Sequence, residues 1–327
     1  MQNQDKLEQF KALFENRLSF DESRDFLIEL YQKGESSEDI AIAAKVMREH
    51  SIKLPISKEL QDRAIDIVGT GGDKSGSFNI SSTSSLILSS MGCVVAKHGN
   101  RSITSKSGSA DLLETLGINL NLTPENQVKM LEESGFCFIF AINHHPAMKH
   151  IMPVRKSIEH RTIFNLLGPL TNPASAKRYL LGVFEPSFID RVANALIELK
   201  ATKAFVVSSD DGMDEISIST TTQFASIKNN IVTKGIIDPR EYGFKLSPKE
   251  AILGGDSVQN AKITNDILSG KLKDAKRDIV VINSSFALLV DSKARDIKEA
   301  KEMIEAQLDS GKALTHLNKI IKISNQL

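Results

Sequence analysis

The sequence predicts an α/β protein: a small N-terminal helical bundle domain plus a larger α/β domain with a mostly parallel sheet flanked by helices. Residues 1–63 repeat apolar side chains at helical spacing and offer no strand candidate. From Ala64 onward, short apolar strands alternate with helices, which is typical of a parallel sheet covered by helices. The 327 residues, 41% of them hydrophobic, suffice for a large core. We therefore predict a helical domain at 1–63 and an α/β domain at 64–327.

Three helices are predicted in the first domain, because its apolar residues recur every three or four positions. The three sets are Leu7, Phe10, Leu13 and Phe14; Phe26, Leu27, Leu30 and Tyr31; and Ile40, Ala43, Ala44 and Met47. Gly34 should end the second helix, and Ser36 with Ser37 should begin the third. The apolar faces of this bundle are also candidates for a subunit interface.

The second domain contains apolar runs that predict strands at 64–68, 93–96, 136–141, 180–184 and 204–207. Thr123 and Pro124 predict the start of the helix before the third strand, and Gly135 predicts its end. Residues 224–232, around Asn229 and Asn230, predict a hairpin. The chain should then return to helices, with a charged, core-covering helix at 296–308.

Charge and cysteine content exclude several classes of protein. Lysine plus arginine and aspartate plus glutamate both number 41, so the net charge is zero and general binding to nucleic acid or membrane surfaces is disfavoured. Cys93 and Cys137 lie in apolar runs and are expected to be buried thiols in a reducing compartment. The first ten residues lack a signal-peptide core, and no apolar run is long enough to span a membrane. We therefore expect a cytoplasmic protein.

A glycine-rich turn follows the first predicted strand, at residues 69–73 with the sequence GTGGD. A helix should begin just beyond it, near Asn79, Ser81 and Ser82, so that free backbone N–H groups face the turn. Neither the dinucleotide motif nor the P-loop motif fits, because Lys74 and Asp73 stand where each requires another residue. Taken alone, the turn fits an ordinary strand–turn–helix junction equally well.

A second polar turn follows the next strand, at residues 97–101 with the sequence KHGNR, and continues into hydroxyl residues as far as Ser109. Cations, an amide and hydroxyls at the carboxyl end of a strand are donors suited to a polyphosphate. Together the two turns predict an enzyme that acts on a phosphorylated sugar. Asp73 would then face a divalent cation or a ribose hydroxyl, because a bare carboxylate repels phosphate.

These motifs together resemble the anthranilate phosphoribosyltransferase family. The resemblance continues, in order, through HPAMK at 145–149, RTIFNLLGPLTNPA at 161–174, MDEIS at 213–217, GGDSVQNA at 254–261 and INSSFALL at 282–289. It implies a Mg²⁺-dependent transfer of the phosphoribosyl group from phosphoribosyl pyrophosphate to anthranilate, giving N-(5-phosphoribosyl)anthranilate and pyrophosphate in L-tryptophan biosynthesis. It also implies a homodimer formed through the helical domain, and a return of the chain to that domain at about 160–178.

The resemblance assigns most of the donor site to the two turns. The residues expected to bind phosphoribosyl pyrophosphate are Gly69, Gly72, Asp73, Ser77, Asn79, Ile80, Ser81, Ser82, Lys97, His98, Gly99, Asn100, Arg101, Ser102, Ile103, Thr104, Ser105 and Ser109. The metal ligands it implies are Ser81, Asp214 and Glu215. From the residues alone, the neighbouring pair Asp210 and Asp211 is a rival, although an exposed acidic loop is the simpler interpretation of that pair.

The acceptor should be held by Gly69, Asn100 and Arg155, the last of which supplies a cation for the anthranilate carboxylate. His98 and His145 are candidates to contact the acceptor or to move a proton, and no general base is assigned. Positioning and stabilisation of the leaving group should dominate catalysis. Ile142 and Glu159 depart from the family pattern near the acceptor, and Glu159 replaces a usual glycine.

Two other functions stay open on the sequence. A pyrimidine nucleoside phosphorylase-like enzyme would share the fold and the handling of ribose and phosphate, but MDEIS and the complete GTGGD turn argue against it. A non-catalytic, nucleic-acid-binding relative is disfavoured by the neutral charge and the intact site motifs.

Overall fold

A seven-stranded sheet forms the centre of the protein in a computed structural model that describes residues 3–102 and 106–327. The strand order is β3-β2-β1-β4-β5-β6-β7; neighbours are parallel from β3 to β5, and β6 and β7 are antiparallel. The predicted α/β class is therefore confirmed. The strands are β1 (Ala64–Gly69), β2 (Val94–Gly99), β3 (Phe136–Phe140), β4 (Arg178–Gly182), β5 (Lys203–Ser209), β6 (Thr222–Lys228) and β7 (Ile231–Ile237).

Fifteen α-helices are found in the described residues, and four of them precede the sheet. They are α1 (Asn3–Phe14), α2 (Phe20–Lys33), α3 (Ser37–Glu49), α4 (Lys58–Arg63), α5 (Ile80–Ser90), α6 (Ser109–Thr115), α7 (Pro124–Ser134), α8 (Ala141–His144), α9 (Met148–Lys156), α10 (Phe164–Leu170), α11 (Ile189–Glu198), α12 (Ser257–Leu268), α13 (Ala275–Val290), α14 (Ile297–Asp309) and α15 (Lys312–Ser324). None of these helices is long and apolar enough to cross a membrane.

Helix ends follow the capping residues in the sequence. Ser36 caps α3 in a reciprocal capping box with Asp39, and Gly34 ends α2. Thr123 caps α7, Pro124 occupies its first turn, and Gly135 ends it in the left-handed conformation. The predicted boundaries of these helices are confirmed.

The strand predictions are accurate to a few residues, with one shift in β4. The predicted range 180–184 starts too late, because the strand begins at Arg178, whose guanidinium forms an ion pair with Asp291 at 2.6 Å. An apolar pattern does not mark such a polar first residue. The predicted hairpin is confirmed, with Asn229 and Asn230 at positive φ in its turn, and its strands extend beyond the predicted range.

The parallel part of the sheet, β1 to β5, is buried on both faces, whereas the edge strand β7 is largely exposed. Ile65 and Ile67 of β1 belong to one hydrophobic cluster, together with residues of α5, α13 and α14. The neighbouring Ala64, with Tyr179 of β4, belongs to a second cluster that includes the N-terminal helices and α11. Both cysteines are buried and unpaired, as predicted. Alternate residues of a strand thus point into different cores, which fixes the strand register.

The N-terminal helices contact a later part of the chain. Helix α9 packs on α1 and α2, and α10 packs on α3. Arg48 donates from Nε to the Leu170 carbonyl at 2.7 Å, and the Leu54 N–H donates to the Pro173 carbonyl at 3.3 Å. Contact with the N-terminal helices is therefore already made by α9, before the segment at 160–178 that the family resemblance implied. The domain boundary at residue 63 stays a prediction.

Candidate active site

The site lies at the carboxyl ends of β1 and β4, where the strand order reverses. The chain adds β2 and β3 on one side of β1, and then places β4 and β5 on the other side. In parallel sheets such a reversal of strand order opens a crevice that binds ligands. Gly69 and Gly182 are register partners at these two strand ends. A β-carbon on Gly69 would overlap the Asp214 carboxylate, and one on Gly182 would overlap the Asp214 backbone. The two glycines therefore admit Asp214 over the switch point.

The glycine-rich turn bends through several left-handed residues. Gly71, Gly72, Lys74 and Gly76 all have φ between 58° and 71°. The Gly71 N–H donates to the Asp214 carboxylate at 2.6 Å, which fixes the turn against the acidic pair. Lys74, which breaks the dinucleotide motif, thus adopts a conformation that favours glycine.

Arg161 supports the same turn from the segment RTIFNLLGPLTNPA. Its Nη2 donates to the Gly72 carbonyl at 2.7 Å, and its guanidinium lies 3.6 Å from the centre of the Phe184 ring. No role of its own is predicted for Arg161 from its place in the motif. Arg161 therefore holds the loop of residues 70–79 between β1 and α5, which we call the donor turn, and the Phe184 ring packs against its guanidinium.

The N-terminus of α5 faces the acidic pair. The Ser81 N–H donates to the Glu215 carboxylate at 3.1 Å. Asn79 occupies the N-cap position without a capping hydrogen bond from its side chain. The buried Ser82 hydroxyl has no hydrogen-bond partner in the described part of the chain. Several predicted donor residues are thus together at one helix start.

Three carboxyl groups gather at this point: Asp73, Asp214 and Glu215. Removal from water raises the pKa of Asp214, and the nearby Asp73 raises it further. The pKa of Glu215 is raised well above its ordinary value, by burial first and then by Asp214 and Asp73. Mutual repulsion of this kind is relieved by a cation, so the donor set fits Mg²⁺, which prefers oxygen ligands and retains water. In residues 3–102 and 106–327, no group of three or more His, Cys, Asp or Glu side chains is already arranged to hold a metal ion, and these three carboxyl groups are no exception.

Lys97 lies close enough to the acidic pair to interact with its charge and is 1% exposed. Its Nζ donates to the Ile67 carbonyl at 2.6 Å and to the Ser81 hydroxyl at 3.3 Å. Burial lowers its pKa, while Asp66, Glu215 and Asp214 oppose that shift. Its ammonium group therefore joins the end of β1 to the start of α5.

The second turn is braced by its own carboxylates. Arg101 is bonded to Asp111 at 3.0 Å and to Glu114 at 2.6 Å, and the Ser102 N–H donates to Asp111 at 3.1 Å. Asn100 is exposed, and its side chain accepts from the Arg101 N–H. The guanidinium predicted to bind phosphate is thus held by two acids here. The predicted residues Ile103, Thr104 and Ser105 lie outside the described residues.

A buried polar network fixes the floor of the site. The Asp66 carboxylate accepts from the Asn172 amide at 2.8 Å and from the His98 N–H at 3.2 Å. Burial raises the pKa of Asp66 to about 6, against the opposing charge of Lys97 and these hydrogen bonds. Asn172 also donates to the Ala96 carbonyl at 2.8 Å. Asp66 and Asn172 are absent from the predicted site residues. Asp66 could have been found from the sequence, because a lone aspartate within an apolar strand is unusual and indicates a buried polar network.

The predicted acceptor arginine is half-buried on α9. Arg155 lies 5.2 Å over the Phe164 ring and contacts the Met152 sulfur at 3.5 Å. Burial lowers its pKa to about 10, so it remains charged at neutral pH. It forms no ion pair with any carboxylate among the described residues. A desolvated cation of this kind favours a carboxylate ligand.

His98 and His145 form a buried pair, 47 residues apart in the sequence. The His98 Nδ1 lies 3.0 Å from the Gly168 carbonyl, and the two Nε2 atoms are 3.2 Å apart. A carbonyl only accepts, so Nδ1 of His98 carries hydrogen and its Nε2 accepts from His145. Burial lowers both pKa values, that of His145 to about 4. Both rings are therefore neutral near pH 7.

The rival acidic pair braces its own loop. Asp211 accepts from the Ser217 hydroxyl at 2.9 Å and from the Met213 N–H at 3.3 Å. Asp210 accepts from the Thr221 hydroxyl and the Gln223 amide. These contacts shape the turn that presents Asp214 and Glu215, in agreement with a structural loop.

The fold and the site define an α/β glycosyltransferase, and residues 61–314 match the family described as "Glycosyl transferase family, a/b domain". The chain is 43% identical over 295 residues to the anthranilate phosphoribosyltransferase of Aquifex aeolicus, covering 90% of this chain and 86% of the relative. It is 41% identical over 315 residues to that of Ruminiclostridium cellulolyticum, covering 96% and 91%. The chain therefore belongs to the anthranilate phosphoribosyltransferase family.

Solved structures of the family match the whole chain. The enzyme from Thermus thermophilus superposes with a TM-score of 0.93 at 36% identity, covering 99% of this chain and 96% of the other. The enzyme from Saccharomyces cerevisiae, in complex with PRPP and Mg, gives a TM-score of 0.87 at 26% identity, covering 97% and 91%. The same yeast enzyme is also known in complex with 4-fluoroanthranilate.

Proposed function

We propose that this chain transfers the phosphoribosyl group from phosphoribosyl pyrophosphate to anthranilate, as part of L-tryptophan biosynthesis. The products are N-(5-phosphoribosyl)anthranilate and pyrophosphate. The observation that carries the proposal is the position of Asp214 over the paired strand ends at Gly69 and Gly182, beside the start of α5. One crevice thus offers backbone donors for phosphate and carboxylates for a cation.

The donor turn and α5 bind the phosphorylated sugar in this proposal. Backbone N–H groups near Gly72 and at the start of α5 face the anion, and the Ser82 hydroxyl is a further donor without a partner in the described chain. Arg161 and Lys97 keep the turn and the helix in place. Because these groups are fixed before the ligand arrives, they stabilise the pyrophosphate charge with little reorganisation.

Mg²⁺ would be held by Asp214, Glu215 and Ser81. When bound, the ion neutralises negative charge on the leaving pyrophosphate. Asp214 accepts from the Gly71 N–H and Glu215 accepts from the Ser81 N–H, each through one oxygen, so backbone donors orient both carboxylates. The presence of Mg with PRPP in the yeast relative supports the proposal.

Anthranilate would be oriented by Arg155, with Asn100 and Gly69 as further contacts. The guanidinium pairs with the carboxylate and leaves the amine toward the sugar carbon. His98 and His145 are neutral, and the lone pair on Nδ1 of His145 is buried without a partner in the described chain. Because that atom is buried, we assign it no proton transfer, and positioning of the two substrates supplies most of the rate.

We also propose that the enzyme is a cytoplasmic homodimer that joins through its helical domain. Exposed apolar side chains on that domain support the interface: Phe20 is 49% exposed, and Tyr31 and Ile52 are each 46% exposed. Two unpaired buried thiols support a reducing compartment. Zero net charge supports the absence of nucleic-acid binding.

A turnover assay tests the function directly. Phosphoribosyl pyrophosphate, Mg²⁺ and anthranilate are mixed with the protein, and both the loss of anthranilate fluorescence and the release of pyrophosphate are followed. We expect both signals, with abolition by a chelator. A folded sample that releases no pyrophosphate would contradict the proposal, and phosphorolysis of uridine or thymidine instead would favour the nucleoside phosphorylase alternative.

A further inference from the structure

The GGDSVQNA segment, residues 254–261, has no role in the proposed reaction, yet its first residue and the two residues before it pair with the donor turn. Ser77 and Leu253 form an isolated antiparallel bridge. The Phe78 N–H donates to the Ile252 carbonyl at 3.3 Å, and the Gly254 N–H donates to the Gly76 carbonyl at 2.9 Å. The second half of the donor turn is therefore held by backbone bonds from a distant segment.

One side chain of this segment extends the contact to the start of α5. Asn260 is 2% exposed; its Oδ1 accepts from the Gly255 N–H at 2.8 Å, and its Nδ2 donates to Oδ1 of Asn79 at 3.0 Å. The Gly255 N–H can only donate, so the amide oxygen of Asn260 faces it and the amide nitrogen faces Asn79. Asn79 in turn donates from Nδ2 to the Ser107 carbonyl at 3.1 Å. These hydrogen bonds fix which end of the Asn260 amide and which end of the Asn79 amide is the nitrogen.

This network explains an exception to ordinary helix capping. An asparagine at the N-cap usually accepts from a backbone N–H of the first turn, which stabilises the helix. Asn79 makes no such bond; its oxygen accepts instead from the Asn260 amide at 3.0 Å and from the Ser107 hydroxyl at 3.4 Å, which together use both of its lone pairs. In the first turn of α5, the Ile80, Ser81 and Thr83 N–H groups donate to the Phe78 carbonyl, the Glu215 carboxylate and the Asn79 carbonyl. The Ser82 N–H, which the Asn79 side chain does not cap, is the one that we expect to face an anion.

We propose that Asn260 is a positioning residue for the phosphorylated donor, acting through Asn79. It holds the Asn79 amide away from the capping position and joins α12 to the donor turn. This inference rests on the proposed function, since it assigns Asn260 to donor binding and not to acceptor binding. It makes the GGDSVQNA motif part of the donor site without direct contact with the ligand.

Two variants test the role of Asn260. Asn260→Asp keeps an acceptor for the Gly255 N–H and loses the donor to Asn79, while Asn260→Ala removes the donor to Asn79 without adding charge. We expect each to raise KM for phosphoribosyl pyrophosphate about tenfold, with KM for anthranilate changed less than about twofold. Val258→Ala, an exposed position on the same helix, should leave both constants unchanged. Thermal unfolding checks that each variant is folded.

A double-mutant cycle with Asn79→Ala separates this role from a general structural effect. If Asn260 acts through Asn79, either Asn260 variant should change the donor KM by less than about twofold once Asn79 is alanine. An equal effect in both backgrounds, or an unchanged donor KM in a folded Asn260 variant, would overturn the proposal. An inactive wild-type enzyme would instead contradict the proposed reaction, so the two failures are distinguishable.

Discussion

The donor and acceptor sides of the site are built in different ways. On the donor side, hydrogen bonds join residues far apart in sequence, such as Gly71 with Asp214 and Asn79 with Asn260. On the acceptor side, Arg155 has only an aromatic ring and a sulfur as close partners among the described contacts, and His98 and His145 are neutral. The donor side is thus fixed by hydrogen bonds, whereas the acceptor side contains a guanidinium that has no carboxylate partner among the described residues.

This difference corresponds to the two ligands. A polyphosphate carries several charges, so fixed donors and a cation must be arranged before it binds. A small aromatic carboxylate needs one cation and an otherwise weakly polar surface. Substitutions on the donor side should therefore act on donor binding and the rate together, whereas those on the acceptor side should act mainly on acceptor affinity.

The largest effect is expected from the acidic pair. Replacing Asp214 by Asn and Glu215 by Gln together should lower kcat/KM for the donor by about 10³-fold, because the Mg²⁺ ligands are lost. Steady-state rates over a range of Mg²⁺ concentrations measure this loss. Asp210→Asn serves as the control and should stay within about threefold of wild type. If the control were the more damaging change, the assignment of the metal site would pass to the rival pair.

A methyl group at the switch point should have the next largest effect. Gly69→Ala places its β-carbon against the Asp214 carboxylate, so we expect a loss of about 100-fold in kcat/KM for the donor. Gly168→Ala is the matched control on the acceptor side, where an added β-carbon meets no atom within 4 Å. Kinetics of both variants with both substrates check the contrast. Comparable losses from the two substitutions would contradict the close approach of Asp214.

A smaller and more selective effect is expected from Arg155→Gln. Loss of the cation should raise KM for anthranilate by about tenfold and leave KM for phosphoribosyl pyrophosphate within about twofold. Lys156→Gln removes a neighbouring exposed cation from the same helix and should change neither constant. A donor-specific defect in Arg155→Gln would remove the distinction between the two sides.

The smallest effect concerns pH. The pKa of His145 is about 4 in the folded protein and about 6.5 when unfolded, so between these values only the unfolded state takes up the proton. Stability is therefore lost as pH falls below about 6.5, and the loss due to His145 reaches about 2 kcal/mol at pH 5. His145→Gln should lose less unfolding free energy than wild type between about pH 7.5 and about pH 5, as measured by denaturant titration. Parallel losses in both proteins would show that His145 is not held neutral by burial.

The elements with strong local signals are the most predictable part of the molecule. Apolar runs bounded by glycine and proline mark β1, α7 and the β6–β7 hairpin, since both burial and turn chemistry are encoded locally. The glycine-rich turn at 69–73 indicates phosphate binding only together with the second turn at 97–101, since alone it fits an ordinary junction equally well. The role of the acidic pair came from the family resemblance, because Asp210 and Asp211 have the same local chemistry.

Residues whose partners lie far along the chain could not be found in this way. Gly182 is an ordinary strand-end glycine until Asp214 is seen above it, and Arg161 is an ordinary cation until it meets Gly72. The packing of α9 on the N-terminal helices is similarly invisible, since periodicity identifies an apolar face but not what covers it. Glu159, which replaces a usual glycine, is exposed and is not among the residues with positive φ, so its side chain meets no backbone obstacle.

The long-range bonds of the donor turn also bear on how the enzyme is made. Gly71 and Asp214 are 143 residues apart, and Asn79 and Asn260 are 181 apart. Closing loops of this length is slow and entropically costly, so these contacts form only after most of the chain is available. A nascent chain whose α12 is still inside the ribosome cannot hold the donor turn in its final form, because Asn260 is not yet free to bind Asn79. Donor binding therefore reports on completed synthesis and folding of nearly the whole chain.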